Sequence, residues 1–158
     1  MYDNLFRMMK KIVFYSLFLL LALASVSCRY AEGPYLSFVN PEERLVGYWK
    51  LDAVYLNGNK IDSTEVLPHN PGCYYAFFTE RMVSVSALQG TTYYESMYGE
   101  WALQNHEKEL YVNFVLRNKR YTYTAEIKKL SKKILIYEFY DDKGDKWRFE
   151  FFTRSNNY

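Results

Sequence analysis

Alternating apolar and polar residues recur in eight short runs from residue 47 to the C-terminus, and this pattern constrains the fold most. In the run Met82–Leu88, for example, every second residue is apolar, as in a strand with one buried face. The runs are joined mostly by short turns, whereas parallel pairing needs crossovers of about a dozen residues or more. We therefore predict antiparallel pairing of successive strands, which are Gly47–Leu56, Cys73–Thr79, Met82–Leu88, Tyr93–Leu103, Glu109–Arg117, Arg120–Lys129, Lys132–Tyr140 and Lys146–Arg154.

Eight antiparallel strands of this kind can close on themselves. Such a barrel has an interior just wide enough for side chains or for one small ligand, and closure removes the exposed strand edges that promote aggregation. The predicted fold class is therefore all-β, an eight-stranded antiparallel up-and-down barrel preceded by a signal peptide and a short tether. The alternative is an open or flattened meander that dimerises.

The N-terminal segment has the layout of a secretory signal. Arg7, Lys10 and Lys11 precede an apolar run from residue 12 to residue 27, which is shorter than the roughly 20 residues of a membrane-spanning helix. Cys28 follows directly, which resembles the lipobox where bacterial lipoproteins are cut and acylated. We predict a signal peptide at 1–27, a lipidated Cys28 with its tether at 28–41, and a barrel domain at 42–156. The alternatives are an uncleaved anchor and an ordinary signal followed by a chance cysteine.

The charge of the chain is concentrated in that signal. The chain of 158 residues carries 20 basic and 18 acidic side chains, of which three bases and one acid lie in residues 1–27, so 17 of each sign remain. A mature domain without net charge or a basic patch gives no reason to expect a nucleic-acid partner. With Cys28 acylated, Cys73 stands alone and is interpreted as a small buried residue rather than part of a disulfide framework.

Two aromatic motifs resemble those of a known family. Gly47-Tyr48-Trp49 opens the first strand, and Gly99-Glu100-Trp101-Ala102-Leu103 precedes Leu110-Tyr111-Val112 in the middle of the chain. Together with the eight strands, they resemble lipocalin-like barrels, in particular the small lipocalin-like lipoproteins of Bacteroidetes-type bacteria. The resemblance implies a structural plug at the closed end of the barrel, formed by Gly47, Trp49 and a cation over the indole. Arg154 is the best candidate for that cation, and Arg148 is a poorer one.

The same resemblance places the open mouth of the barrel at the opposite end from Trp49. Six residues are then expected to point inward near the mouth, where they would line a pocket for a flat or apolar ligand: Tyr55, Tyr93, Leu116, Tyr121, Tyr140 and Trp147. The alternative is that these side chains are part of a filled core. Glu138 points inward with Ile134 and Ile136 or outward into solvent, because both faces of its strand are apolar.

Few residues favour catalysis or metal binding. His69 and His106 lie in connections at opposite ends of the predicted barrel, so we expect no metal site between them. The acidic turn Asp141–Asp145 is interpreted as a solvated turn rather than a calcium site. No nucleophile with an adjacent base and no glycine-rich phosphate loop is evident, and we expect neither a cofactor nor enzymatic activity.

Three functions follow as hypotheses. The first is a lipid-anchored envelope protein, on the membrane through its N-terminal lipid, that binds a small apolar or aromatic molecule in the barrel. The second is a structural or protein-interaction lipoprotein with a filled barrel, such as an inhibitor or part of an envelope complex, for which Tyr48, Tyr111 and Tyr137 would be outward-facing aromatics. The third is an enzyme that uses the cavity. The expected location is the outer membrane.

Overall fold

The computed structural model describes residues 9–11, 13–16, 30–33, 39–61, 72–89 and 92–153. Cys28, His69 and Arg154 lie outside these ranges, so the proposed lipidation site and the expected plug cation stay predictions. Among the described residues, no helix combines the length and the apolar character needed to cross a membrane.

The described chain forms one closed antiparallel barrel, which confirms the predicted fold class. Eight strand positions follow one another around it, and the last strand pairs with the first. One position is shared by two strands, β5 and β6, and the two-residue β2 is an addition beside β1. The elements are α1 (Pro41–Leu45), β1 (Gly47–Leu56), β2 (Asn59–Lys60), β3 (Tyr74–Phe77), β4 (Met82–Gln89), β5 (Thr92–Glu95), β6 (Met97–Gln104), β7 (Glu109–Leu116), β8 (Lys119–Leu130), β9 (Ile134–Tyr140) and β10 (Lys146–Thr153).

A single helical turn, α1, closes one end of the barrel. The Asn40 side chain accepts a hydrogen bond from the Glu42 backbone N–H, and Pro41 occupies the first turn, where its missing N–H costs nothing. Gly47 then adopts a positive φ of 141°, which L side chains rarely adopt, and starts β1. The helix therefore ends directly above the first inward side chain of β1, Trp49.

β1 contains a bulge that reverses its inward face. Leu51 pairs with Phe151 and Ala53 with Glu150, so Asp52 is the additional residue between them. After the bulge, Val54 is fully buried and pairs with the inward Phe149, whereas Tyr55 pairs with Arg148 on the outer face. The expected inward orientation of Tyr55 is therefore wrong, because alternation restarts in the opposite phase after an inserted residue.

Gly99 allows two strands to approach unusually closely. A Cβ atom at this position would lie 2.1 Å from the Asn113 carbonyl oxygen and 2.6 Å from the Phe114 Cβ. The β6–β7 register also shifts between Met97 and Glu100. This shift inverts the inward face of the chain on its N-terminal side.

Candidate functional site

The barrel interior is the first candidate site, and aromatic rings occupy it. Tyr123 stacks on Phe139 with ring centroids 4.2 Å apart, and Tyr137 lies 5.4 Å from Phe149. Further contacts continue this series toward both ends of the barrel, through Tyr75–Phe151, Phe77–Trp101, Phe114–Tyr121 and Phe139–Trp147. Tyr75, Phe77, Trp101, Phe114, Tyr137, Phe149 and Phe151 are almost wholly inaccessible to solvent. The interior is therefore a continuous aromatic core.

Three phenol hydroxyls are buried within this core. The hydroxyls of Tyr123 and Tyr137 are 2.9 Å apart and share a hydrogen bond. The Tyr75 hydroxyl has no hydrogen-bond partner among the described residues. Burial raises the pKa of the Tyr75 hydroxyl, and the neighbouring Tyr123 raises it further.

Burial raises the pKa of all three phenols, because the charged phenolate is poorly solvated there. Neighbouring phenols raise the pKa of Tyr75 and Tyr137 further, and the Cys73 thiol adds to the rise at Tyr75. At Tyr123 the neighbouring phenols lower the pKa and offset only part of the effect of burial. These hydroxyls stay neutral at physiological pH. They can donate hydrogen bonds but are poor acids and bases, so they do not resemble a catalytic group tuned to pH 7.

Three of the six predicted mouth residues face the interior. Leu116 and Trp147 are buried, and the half-buried Tyr121 stacks on Phe114 with ring centroids 5.2 Å apart. The Trp147 indole N–H donates a hydrogen bond to Asp141, which also accepts hydrogen bonds from the backbone N–H groups of its own turn. The hydrogen bonds from Trp147 and from this backbone lower the pKa of Asp141. These contacts support the interpretation of the acidic turn as structural.

The predicted inward orientation is wrong for the other three mouth residues. Tyr55 faces outward because of the β1 bulge at Asp52. Tyr93 is 62% exposed because the register shift in β6 places its neighbour Tyr94, opposite Ala87, on the inward face instead. Tyr140 is 68% exposed because the opposite face of β9 points inward. The same orientation buries Tyr137 completely, so the expectation that Tyr137 is an outward-facing aromatic is also wrong.

The mouth also holds residues that the sequence analysis did not identify. Tyr94 packs against the core, with the Arg117 guanidinium 4.5 Å above its ring, and the Lys119 ammonium lies 5.1 Å from the Tyr121 ring. The turn Arg117–Asn118 has two positive φ angles, as tight two-residue hairpins require. The predicted strand bounds place this turn at Asn118-Lys119, one residue later than the structure does.

The closed end holds two indoles in parallel roles. The Trp49 Nε1 atom donates to the Leu45 carbonyl oxygen at 2.7 Å, and the Trp101 Nε1 atom donates to the Phe78 carbonyl oxygen at 3.1 Å. Within the described ranges, the cation over an indole is Arg81, 5.9 Å from the Trp101 ring. Trp49 is fully buried and satisfied, which is consistent with a plug rather than with a ligand contact.

Arg148 is the centre of a charged cluster on the outer face of the barrel. Its guanidinium contacts the carboxylates of Glu32, Glu138 and Glu150, and Lys146 lies 2.8 Å from Glu138. The open question about Glu138 is thereby answered, because it faces outward among cations. Burial alone would raise the pKa of Glu138, but hydrogen bonds from Lys146 and Arg148 lower it, and the bond from Arg148 lowers the pKa of Glu32. Glu32 in turn raises the pKa of Arg148.

Residues 30–33 precede the barrel, and we call them the N-terminal lead. Outside the barrel, a cleft of about 350 Å³ lies beside this lead and is lined by polar and charged groups such as Lys108 and Glu126. Within the described part of the chain, no group of three histidine, cysteine or acidic side chains is arranged to hold a metal ion. Cys73 is buried and is not in a disulfide.

Comparisons with known proteins identify no family. No family model matches the chain, and no curated protein matches it. Among solved structures, a redesigned β-barrel matches with a TM-score of 0.49 and 11% sequence identity, covering 76% of this chain and 100% of that one.

Proposed function

We propose that this protein is a lipid-anchored lipoprotein of the cell envelope that works through its outer surface, as an interaction or structural module. The observation that carries the proposal is the unbroken series of ring contacts in the barrel interior, from Phe77 and Trp101 at the closed end to Trp147 at the mouth. A pocket for a small molecule usually offers about 300 Å³ or more of free volume. An interior occupied by aromatic rings favours a role for the outside of the barrel.

The lipid anchor is supported by sequence and by the docked N-terminal lead. A basic start, an apolar run of less than membrane-spanning length and a cysteine directly after small residues are typical of lipoprotein signals. Two residues after Cys28, the chain is already packed on the barrel at Tyr30, which is 2% exposed. The proposed location is the outer membrane.

The test is expression of the full chain in a bacterium that processes lipoproteins, with Cys28→Ala as the matched variant. We expect the unsubstituted protein in the membrane fraction, with an intact mass that fits cleavage before Cys28 and added acyl chains. We expect the variant to lack acyl chains. Native mass spectrometry of the membrane-extracted protein should show no co-purified small molecule. An unacylated protein would refute the anchor, and a stoichiometric small ligand would refute the surface role.

A second candidate function is the binding of a flat apolar or aromatic molecule at the mouth. It is favoured by the half-buried rings of Tyr94 and Tyr121, which pack against the core and carry the cations Arg117 and Lys119 on their faces. Titration with anilinonaphthalene sulfonate tests it. Binding that Tyr121→Ala weakens at least tenfold and Tyr140→Ala leaves unchanged would support this candidate; equal effects of the two variants would refute it.

A further inference from the structure

The first described residue of the lead, Tyr30, is fixed at the closed end of the barrel. The Arg44 guanidinium lies 5.7 Å above its ring, and the same guanidinium donates to the Leu130 carbonyl oxygen at 2.6 Å. Arg44 belongs to α1, which closes this end, and Leu130 is the last residue of β8. The lead therefore reaches the barrel at its closed end and not at its mouth.

The residues after Tyr30 are held to the barrel wall from two sides. The Glu32 backbone N–H donates to the Lys128 carbonyl oxygen at 2.8 Å, and its carboxylate accepts two hydrogen bonds from Arg148, at 2.7 and 2.9 Å. A bidentate pair of this kind restricts orientation as well as distance. The stretch Tyr30–Gly33 therefore behaves as part of the barrel and not as a slack tether.

The closed end consequently lies close to any group attached at Cys28. Only Arg29 lies between Cys28 and Tyr30. A fully extended chain covers at most about 3.6 Å per residue, so the two chain steps from Cys28 to Tyr30 span roughly 7 Å at most. We propose that the closed end of the barrel rests on the lipid bilayer, with the mouth directed away from it. This inference rests on the proposed acylation of Cys28 and adds the membrane-contacting surface.

The outer surface near the closed end fits an interfacial position. Tyr48 and Tyr98, which are 58% and 70% exposed, each make an edge-to-face contact with Phe78, at 6.4 and 6.0 Å. Phe152 is 44% exposed and lies next to Lys50 across the β1–β10 pair. We call these residues, Tyr48, Phe78, Tyr98 and Phe152, the closed-end aromatic patch.

Aromatic rings prefer the headgroup region of a membrane, where one end of the ring is apolar and the other is wet. Exposed lysines accompany the patch, since Lys50 lies within it and Lys132 and Lys133 form the adjoining turn. Lysine ammonium groups near a membrane surface gain attraction from anionic lipids while their stems cover apolar surface. This surface therefore fits an anionic bilayer.

The experiment uses the full acylated protein in vesicles of phosphatidylcholine and phosphatidylglycerol. An environment-sensitive nitrobenzoxadiazole label is placed at Tyr48→Cys in the patch or at Tyr140→Cys near the mouth, and spin-labelled lipids serve as quenchers. Both positions are exposed, so labelling should leave the fold intact. Cys73 is fully buried, and the unsubstituted protein gives the blank. We expect at least threefold stronger quenching at position 48 than at position 140, with a blue-shifted emission.

Each alternative result has a defined meaning. Suppose that the intact mass includes acyl chains, but that the label at both positions emits as in water or is quenched equally. This result would overturn the membrane-contacting surface and leave the anchor in place. An intact mass without acyl chains would overturn both. In the labelled Tyr48→Cys protein, Glu32→Gln should reduce quenching toward the level at position 140, because a loosened lead lets the barrel leave the membrane. Unchanged quenching would show that the lead does not set this orientation.

Discussion

Arg148 binds the carboxylate of Glu32 through two hydrogen bonds, although the two residues are 116 positions apart in the sequence. The same guanidinium also contacts Glu138 and Glu150. One side chain thereby joins the lead, β9 and β10. The consequences of this arrangement can be measured by stability experiments.

The first prediction concerns Arg148→Met. This change retains the length of the stem but removes the charge partner of three carboxylates, and the Glu138 side chain is only 13% exposed. Since the pairs are half-buried, we expect a loss of about 1–3 kcal/mol in the free energy of unfolding. Urea denaturation checks this, with a lower midpoint at constant slope. Lys60→Met, at an exposed position of β2, is the control and should change little; equal losses would contradict the role of Arg148.

The second prediction concerns acid. Glu32 and Glu138 have pKa values below their ordinary 4.5 in the folded protein. The unfolded chain therefore binds more protons near that pH, so this part of the stability is present above about pH 5 and is lost as pH falls through the folded pKa values. Urea midpoints measured from pH 7 down to pH 3 should fall in the acid range. The fall should be smaller in Arg148→Met, and an identical fall in both proteins would contradict the assignment.

The third prediction concerns Gly99→Ala. The added Cβ would meet the backbone of Asn113, which cannot rotate away as a side chain could. We expect a loss of about 3 kcal/mol or more, or failure to fold. The matched control is Gly144→Ala, where a Cβ meets open space and only the positive φ of 83° is unfavourable, at about 1 kcal/mol. Thermal unfolding compares them, and equal losses would argue against the close approach.

The fourth prediction concerns the buried hydroxyls. Tyr123→Phe leaves the Tyr137 hydroxyl buried without its partner, so we expect a loss of about 1–2 kcal/mol. Tyr75→Phe removes a hydroxyl that makes no hydrogen bond among the described residues and should be neutral or stabilising. Chemical denaturation of both variants checks this. A larger loss for Tyr75→Phe than for Tyr123→Phe would contradict the assigned pairing.

The fifth prediction concerns alkali. The folded pKa values of Tyr75, Tyr123 and Tyr137 lie above the ordinary value of 10.0, so folding favours the protonated phenols. Their contribution is complete below about pH 10 and is lost as pH rises further. Absorbance at alkaline pH should show these three of the 17 tyrosines ionising only together with unfolding. Their ionisation in the folded state, with intact circular dichroism, would contradict deep burial.

The barrel could be predicted from sequence because the alternation of apolar and polar residues is a local pattern that recurs in each strand. Alternation survives intact along β7 and as far as Ile127 in β8, so Leu116 and Tyr121 were placed correctly. The errors lie beyond the irregularities, at Tyr55 past the β1 bulge and at Tyr93 before the register shift of β6. Because one inserted residue inverts every later side chain, a strand pattern cannot reveal phase once a bulge intervenes.

Other features could not be predicted from one sequence, for a different reason. β9 is apolar on both faces, so only its packing against β10 decides that Tyr137 points inward and Tyr140 outward. The pairing of Glu32 with Arg148 joins two distant segments and has no local signature. The turn at the mouth, Arg117–Asn118, lies one residue before the predicted one, since sequence patterns locate the ends of strands only approximately.

The seam between β1 and β10 has a kinetic consequence. Trp49 and Thr153 are cross-strand neighbours, so the first strand of the barrel cannot complete its pairing until the last strand has been synthesised. Contacts between such distant segments raise the contact order and slow folding. During this interval β1 exposes an unpaired edge, and a chaperone that covers strand edges would protect it until the ring is sealed.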